Sequence, residues 1–170
     1  RLNYYGPKEI RGKGDTLFYQ IPSFDGLSDR SATILLPLHL KYQKDQYHCQ
    51  SLMETILYRA EKLKGIPVCF ISNDSTTISL HTKLSEHKKD TKYLLLSDSL
   101  FSKYVSAFYL NKPYYVFDYF ALLTDKERHI RGYYNVQFAD EVKRMIQEYQ
   151  HLRLKEEAKS LKDAHTIEAR

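Results

Sequence analysis

Apolar residues in this chain come as short continuous runs separated by stretches in which they recur every three or four positions, the alternation that marks strands and helices following one another. The first continuous run is Ser31 to Leu40, SATILLPLHL, which suits a buried strand; Pro37 stands near its end, where a missing ladder donor does least damage. From Gln46 to Lys64 the period changes. Cys49, Leu52, Met53, Ile56, Leu57, Ala60 and Leu63 share one helical face, and Gly65 is a stop signal. Ile66 to Ile71, IPVCFI, reads as a second buried strand, closed by the loop Ser72-Asn73-Asp74-Ser75. Strand, helix and strand in this order predict a parallel pair joined by a right-handed crossover.

The alternation continues downstream. Thr76 to Asp90 is polar and weakly helical, Lys92 to Leu96 fits a strand, and Ser97-Asp98-Ser99 offers an N-cap for a helix from Leu100 to Leu110 that Pro113 ends. Tyr114 to Leu123 is an aromatic run, TDKERH a charged turn, and Tyr133-Tyr134 a second aromatic cluster. From Phe138 onward, Val142, Met145, Ile146, Tyr149 and Leu152 line one helical face. At the other end, residues 1 to 15 read as irregular, with Gly12-Lys13-Gly14 as a turn, and Asp15 to Phe24 as a short strand-like run. Together these elements predict an α/β fold with a mainly parallel sheet built from about Thr33 to Leu38, Val68 to Ile71 and Lys92 to Leu96, flanked by helices. One α/β domain is expected over 1–152. A C-terminal helical extension follows over 153–170, either a solvated helical end or a segment that a partner orders.

Composition adds bounds to this picture. With 170 residues, 42% hydrophobic and 28% charged, the chain is ordinary globular material and not a disordered or collagen-like one. Cys49 and Cys69 are its only cysteines and lie in apolar or helical surroundings, which points to a reduced, cytoplasmic protein. No apolar run is long enough for a bilayer span, and RLNYYGPKEIRGKG carries no signal core. Because the chain begins at Arg1, a trimmed start or a longer parent polypeptide is expected. The net charge of +5 is spread thinly, clustering only at Lys83, Lys88, Lys89 and Lys92, a weaker field than a dedicated nucleic-acid binder carries. Tyrosine is abundant, at 15 residues with no Trp, and Tyr is at home in cores near the surface, in pockets and in interfaces.

Motifs that carry chemistry are sparse. Gly12-Lys13-Gly14 lacks the spacing of a phosphate loop, and GxGxxG, CxxC, HExxH and GxSxG are absent. His81 and His87 stand near Glu86 without further ligands at zinc spacing, so neither a metal nor a cofactor is expected. Asp74 follows a strand where doubly wound sheets place ligand contacts, although a loop aspartate also caps turns. Asp118, inside YYVFDYF, reads as a carboxylate among apolar neighbours that needs a Tyr or backbone donor.

Two stretches, Ser31 to Asp74 and Tyr104 to Tyr134, resemble the cyclodipeptide synthases, enzymes related in fold to class I aminoacyl-tRNA synthetases that join two aminoacyl groups taken from charged tRNAs. ILLPLHLK, the helix and VCFISND resemble that family's first strand ending in G-x-S-x-x-N, its helix, and its second strand ending in Asp. KYVSAFYLNKPYYVFDYFALL and GYY are similar to its Y-x-x-x-E-x-P, the aromatic run with a D-[ST]-P-like turn, and a distal Tyr. The resemblance implies a Rossmann-like three-layer sandwich. It also implies a lost active site. The nucleophilic Ser aligns near Leu38 and the family's Asn near Lys41; anchored on Pro113, Asn111 takes the place of the Glu and Ala107 that of the Tyr, whereas anchored on Tyr104, Phe108 takes the place of the Glu. Leucine cannot accept an aminoacyl group. Leu38, Lys41, Asn111 and Asp118 then outline a degenerate pocket.

The functional expectation is therefore a non-catalytic synthase-like subunit or adaptor of a cytoplasmic protein assembly, such as a type IV secretion coupling complex. Other protein subunits would be its partners, with Tyr149, Leu152, Leu161 and Ile167 as interaction residues. The alternatives are a tRNA-dependent cyclodipeptide synthase, an aminoacyltransferase using another nucleophile such as Ser31 or Ser72, and a tRNA-binding protein.

Overall fold

The apolar runs and amphipathic stretches resolve into eleven named elements in a computed structural model, which describes residues 2–23, 32–38 and 43–168. In chain order these are β1 (Lys8–Arg11), β2 (Asp15–Phe18), β3 (Thr33–Leu38), α1 (Gln43–Tyr58), β4 (Val68–Ser72), α2 (Ile78–His87), β5 (Thr91–Leu95), α3 (Asp98–Leu110), β6 (Ala121–Thr124), β7 (Ile130–Tyr134) and α4 (Ala139–Glu168). A 3-10 turn, Ser75–Thr77, precedes α2. The expected ends at Phe24, Ser31, His39 and Leu40 lie outside the described residues.

The main sheet has the order β5-β4-β3-β6-β7. β3, β4 and β5 run parallel, but β6 is antiparallel to β3 and β7 antiparallel to β6. The expected Rossmann-like, mainly parallel sheet is thus corrected to a mixed one. The cause is local. Only the residues from Asp125 to His129 separate β6 from β7, whereas a parallel pair needs a crossover of about a dozen residues or more. Asp125 closes this turn: its Oδ1 accepts from the backbone N–H of Glu127 at 3.0 Å and of His129 at 2.9 Å, and Arg128 takes the left-handed conformation at φ 67°.

The main sheet feeds apolar clusters on both its faces. Ile34, Leu36 and Leu38 of β3 join one apolar cluster with Cys49, Leu52, Met53 and Ile56 of α1 and Val142, Met145, Tyr149 and Leu152 of α4. Leu35 of β3, Cys69 and Ile71 of β4 and Leu122 of β6 join the other, with Phe101, Tyr104, Val105 and Phe108 of α3 and Ile21 from the N-terminal segment. The period of two in the strands and about 3.6 in the helices produces these layers directly.

The N-terminal region, expected to be irregular, forms the β1–β2 hairpin around Gly12 (φ 61°) and Gly14 (φ 80°). A side-chain stack seats the segment on β7. Phe18 stacks on Tyr4 with centroids 4.0 Å apart, and Arg131 lies 4.0 Å above the Tyr4 ring. Arg131 is the extra residue where the β6–β7 register shifts between Leu123 and Thr124, and a bulge re-aims the side chain it carries. Its guanidinium reaches Asp125 at 3.2 Å and donates to the carbonyls of Asn3 and Leu2.

Two buried charges close the remaining ends. Lys88, with Asp90 as its counter-ion, donates to the carbonyl oxygens of Leu63 and Ile66 in the connection between α1 and β4; burial holds its pKa below the usual lysine range. Glu156 of α4 accepts from the N–H of Ala32 at 3.4 Å and of Lys126 at 2.9 Å. The same helix runs without a break from Ala139 to Glu168. Replacing Glu156 by Ala leaves one buried and one half-buried backbone donor unpaired, and we expect a loss of about 2 kcal/mol in unfolding free energy. Urea denaturation with an unchanged m-value checks this, and a loss within experimental error would refute the clamp.

Candidate functional site

The two neighbours of β3 run in opposite directions, so the carboxyl end of β3 meets the amino end of β6, a switch point of the kind that leaves a crevice beside a sheet. Residues 39–42, which join β3 to α1 and include Lys41, lie outside the described residues. The segment that enters β6 faces the early turns of α1. His48 of α1 stacks on Tyr119 at 4.6 Å with ring planes 18° apart, and Tyr47 meets His48 edge-on at 6.1 Å.

Asn135, just past β7, holds that entering segment. Its Oδ1 accepts from Phe117 N at 2.8 Å and its Nδ2 donates to Tyr115 O at 3.3 Å. Tyr109 O–H donates to Asp118 O at 2.6 Å, and the Lys112 ammonium donates to Val116 O. Val116 is buried between these anchors, which turns Tyr114, Tyr115 and Phe117 outward; Tyr114 is 97% exposed. Phe138 meets Phe117 at 5.9 Å and Tyr115 meets Tyr114 at 5.5 Å. The outcome is an exposed aromatic surface on a rigidly held segment.

A charged set behind Asn135 supports it. Asn135 N donates to Glu141 at 3.3 Å, and Glu141 pairs with Arg144 at 2.8 Å. Arg144 donates to Tyr133 O, pairs with Glu148 at 3.1 Å and lies 4.4 Å above the Tyr134 ring. The hydrogen bonds from Arg144 hold the Glu141 carboxyl below the usual carboxylate range, and burial pushes the hydroxyls of Tyr133 and Tyr134 up. Both tyrosines are core residues and their hydroxyls act as neutral donors, to Phe108 O and to Glu148.

The residues singled out from the sequence do not converge. Leu38 is fully buried at the end of β3, and Asn111 closes α3, its Nδ2 donating to Ala107 O at 2.8 Å. Asp118 departs from expectation: its side chain is 77% exposed and 3.7 Å from Lys112, not surrounded by apolar groups. Asp74 caps the following turn through Thr76 N at 2.7 Å, and the Ser72 hydroxyl donates to Asp74 O. Tyr149 and Leu152 face this chain's own core, whereas Leu161 is 65% and Ile167 74% exposed. Ser31 lies outside the described residues, among which no three His, Cys, Asp or Glu gather to hold a metal. Sequence reasoning missed the His48–Tyr119 stack and the role of Asn135. Aromatic density around Tyr114 was the available signal for the surface, but nothing local links it to residue 135.

The cysteines sit on opposite faces of the sheet. Cys49 is 0% and Cys69 1% exposed, in different apolar clusters, and burial pushes the Cys69 thiol up to about 12.

No family model matches the chain, and no curated protein matches it. Among solved structures it is similar to the reduced 2-Cys peroxiredoxin of Plasmodium vivax, at 18% identity and a TM-score of 0.44, covering 73% of this chain and 68% of that one. It is similar to the thioredoxin domain of a thiol-disulfide oxidoreductase from Bacteroides vulgatus, at 15% identity and a TM-score of 0.45, covering 88% of this chain and 97% of that one. A member of the Sco family of cytochrome c oxidase assembly proteins is similar at 12% identity and a TM-score of 0.44, covering 86% of this chain and 93% of that one. The cyclodipeptide-synthase resemblance is corrected by the sheet itself: three parallel strands are continued by an antiparallel hairpin, and a C-terminal helix packs on the result. The synthase-like subunit or adaptor reading, its secretion-complex setting and its tRNA alternatives are corrected with it. Among the described residues, no helix is long and apolar enough to cross a membrane.

Two outcomes test this support. Asn135→Ala is expected to cost about 2 kcal/mol of stability, because it strands the Phe117 amide, and to speed hydrogen exchange there selectively; uniform exchange would refute the anchoring. The Glu141 carboxyl is depressed in the fold, so its contribution is complete above the ordinary carboxylate pKa and lost as pH falls through the lowered folded value. The stability gap between wild type and Glu141→Gln should accordingly shrink between about pH 6 and pH 3, read by urea unfolding at each pH.

Proposed function

We propose that this chain is a recognition domain that binds an extended polypeptide segment on its aromatic surface and performs no thiol chemistry. The observation that carries the reading is the row Tyr114, Tyr115 and Phe117, presented outward from a segment that Asn135 pins, with exposed Phe138 against Phe117. Large amphipathic rings held in place supply contact area at little ordering cost, and their hydroxyls can meet the amide groups of an extended chain. Thiol–disulfide exchange, named for one of the structural neighbours, requires an accessible thiolate. Here two thiols lie in separate cores, and the raised Cys69 pKa leaves almost none of it ionised near neutral pH.

The test uses reduced, carboxymethylated α-lactalbumin as an unfolded probe, read by fluorescence anisotropy. A Tyr114→Ser, Phe117→Ser variant is expected to bind about tenfold more weakly than wild type, the loss that corresponds to about 1.4 kcal/mol. In parallel, the native protein should release no chromophore from an aromatic disulfide reagent until it is unfolded. Binding that ignores the aromatic substitutions would overturn the recognition surface. Insulin-disulfide reduction that disappears in Cys49→Ser or Cys69→Ser would overturn the exclusion of thiol chemistry.

A further inference from the structure

A concavity lies between the C-terminal end of α1 and the first turns of α4. It has a volume of about 440 Å³ and is lined by Arg59, Lys62, Ala139, Asp140, Val142, Lys143, Ile146 and Gln147. That volume falls within the range of small-molecule sites, about 300–1,000 Å³. The lining has two parts of different character: Ala139, Val142 and Ile146 supply an apolar wall, and Arg59, Lys62 and Lys143 supply positive charge.

Elsewhere on α4, Arg144 and Arg153 are engaged by carboxylates of their own helix. Arg59, Lys62 and Lys143 have no ion pair among the described residues; the Arg59 guanidinium lies 5.9 Å from the Tyr58 ring, and its Nε is shielded from water with no hydrogen-bond partner. Asp140 is the only carboxylate in the lining, so the wall keeps a positive excess. An unpaired, water-shielded guanidinium N–H carries a desolvation cost that an anion would relieve.

We infer that this cavity binds a small phosphate monoester with an apolar or aromatic body. The head group would be held by Arg59, Lys62 and Lys143 and the body by Val142 and Ile146. Charge complementarity argues for the anion and the apolar wall argues for the body. A planar guanidinium beside two ammonium groups suits a phosphate dianion, which can accept several charge-assisted bonds at once. Its lining shares no residue with the aromatic surface, so either reading can fail alone.

The probe is 1-naphthyl phosphate, titrated by its own fluorescence and by amide chemical shifts of the full chain, with inorganic phosphate and 1-naphthol as the head-only and body-only comparators. The ester should bind at least about tenfold more tightly than either comparator, a difference of about 1.4 kcal/mol. Amides of Ala139, Asp140, Lys143 and the end of α1 should shift. Lys62 and Lys143 are both exposed, so the charge reversals Lys62→Glu and Lys143→Glu should leave the far-ultraviolet spectrum unchanged while weakening the ester about tenfold or more when combined. Affinity should also fall as salt rises. Equal binding of ester and naphthol, binding indifferent to the double reversal, shifts confined to other residues, or no saturation by about 1 mM ester would each overturn the assignment.

Discussion

Strand β3 has to satisfy two neighbours that run in opposite directions, and Pro37 decides how far one of them can follow it. Ile34 donates to Pro67 O, so in a parallel ladder Ile34, Leu36 and Leu38 turn their backbone groups toward β4, and Thr33, Leu35 and Pro37 turn theirs toward β6. The β3–β6 register ends at Leu35 opposite Leu122. The next bonded pair would match Pro37 with Phe120, and Pro37 has no N–H to give. The chain before β6 is therefore released from the sheet at its centre. That release lets Tyr114, Tyr115 and Phe117 stand away from the core while Val116 stays buried, and it obliges other groups to hold the segment.

The compensation comes from residues distant in sequence. Asn135 accepts and donates to the backbone at Phe117 and Tyr115, and Glu141 and Arg144 of α4 brace it from behind. At the other end of the hairpin, Asp125, Arg131 and Glu156 tie the β6–β7 turn to the N-terminal segment, to the start of β3 and to α4. Both ends of a short antiparallel pair are thus fastened by buried or half-buried polar groups that are fully partnered, the condition under which such groups add specificity. A rigid scaffold displaying a surface segment is the usual setting for recognition.

Much of the fold was legible because it is local. Val68–Ser72, Thr91–Leu95 and the Ser97-capped helix fall close to where the apolar runs and the N-cap placed them. Tyr114 to Leu123 defeated the same reasoning, since an aromatic run reads alike whether it is a strand, a core loop or an exposed row. Only Ala121–Thr124 is strand, and Tyr133 and Tyr134, read as a second aromatic cluster, are buried as ring and hydrogen-bond donor together. The site was less legible still. Leu38 and Asn111, reached by alignment, are a core residue and a helix cap, while the partners of Asn135 lie up to 20 residues away.

The sequence by itself determined the order of β3, α1, β4, β5, α3 and α4, their buried faces and the scarcity of thiol, metal and phosphate-loop motifs, because periodicity and composition are properties of neighbouring residues. Tertiary structure decided the direction of β6 and β7, the separation of Cys49 and Cys69 onto two faces, and which cations are left without a carboxylate. Each of these depends on pairing between segments far apart in the chain. The propensity of a residue carries no record of the partner it will meet, so a strand's direction and a charge's freedom are settled only when the sheet closes and the helices pack against it.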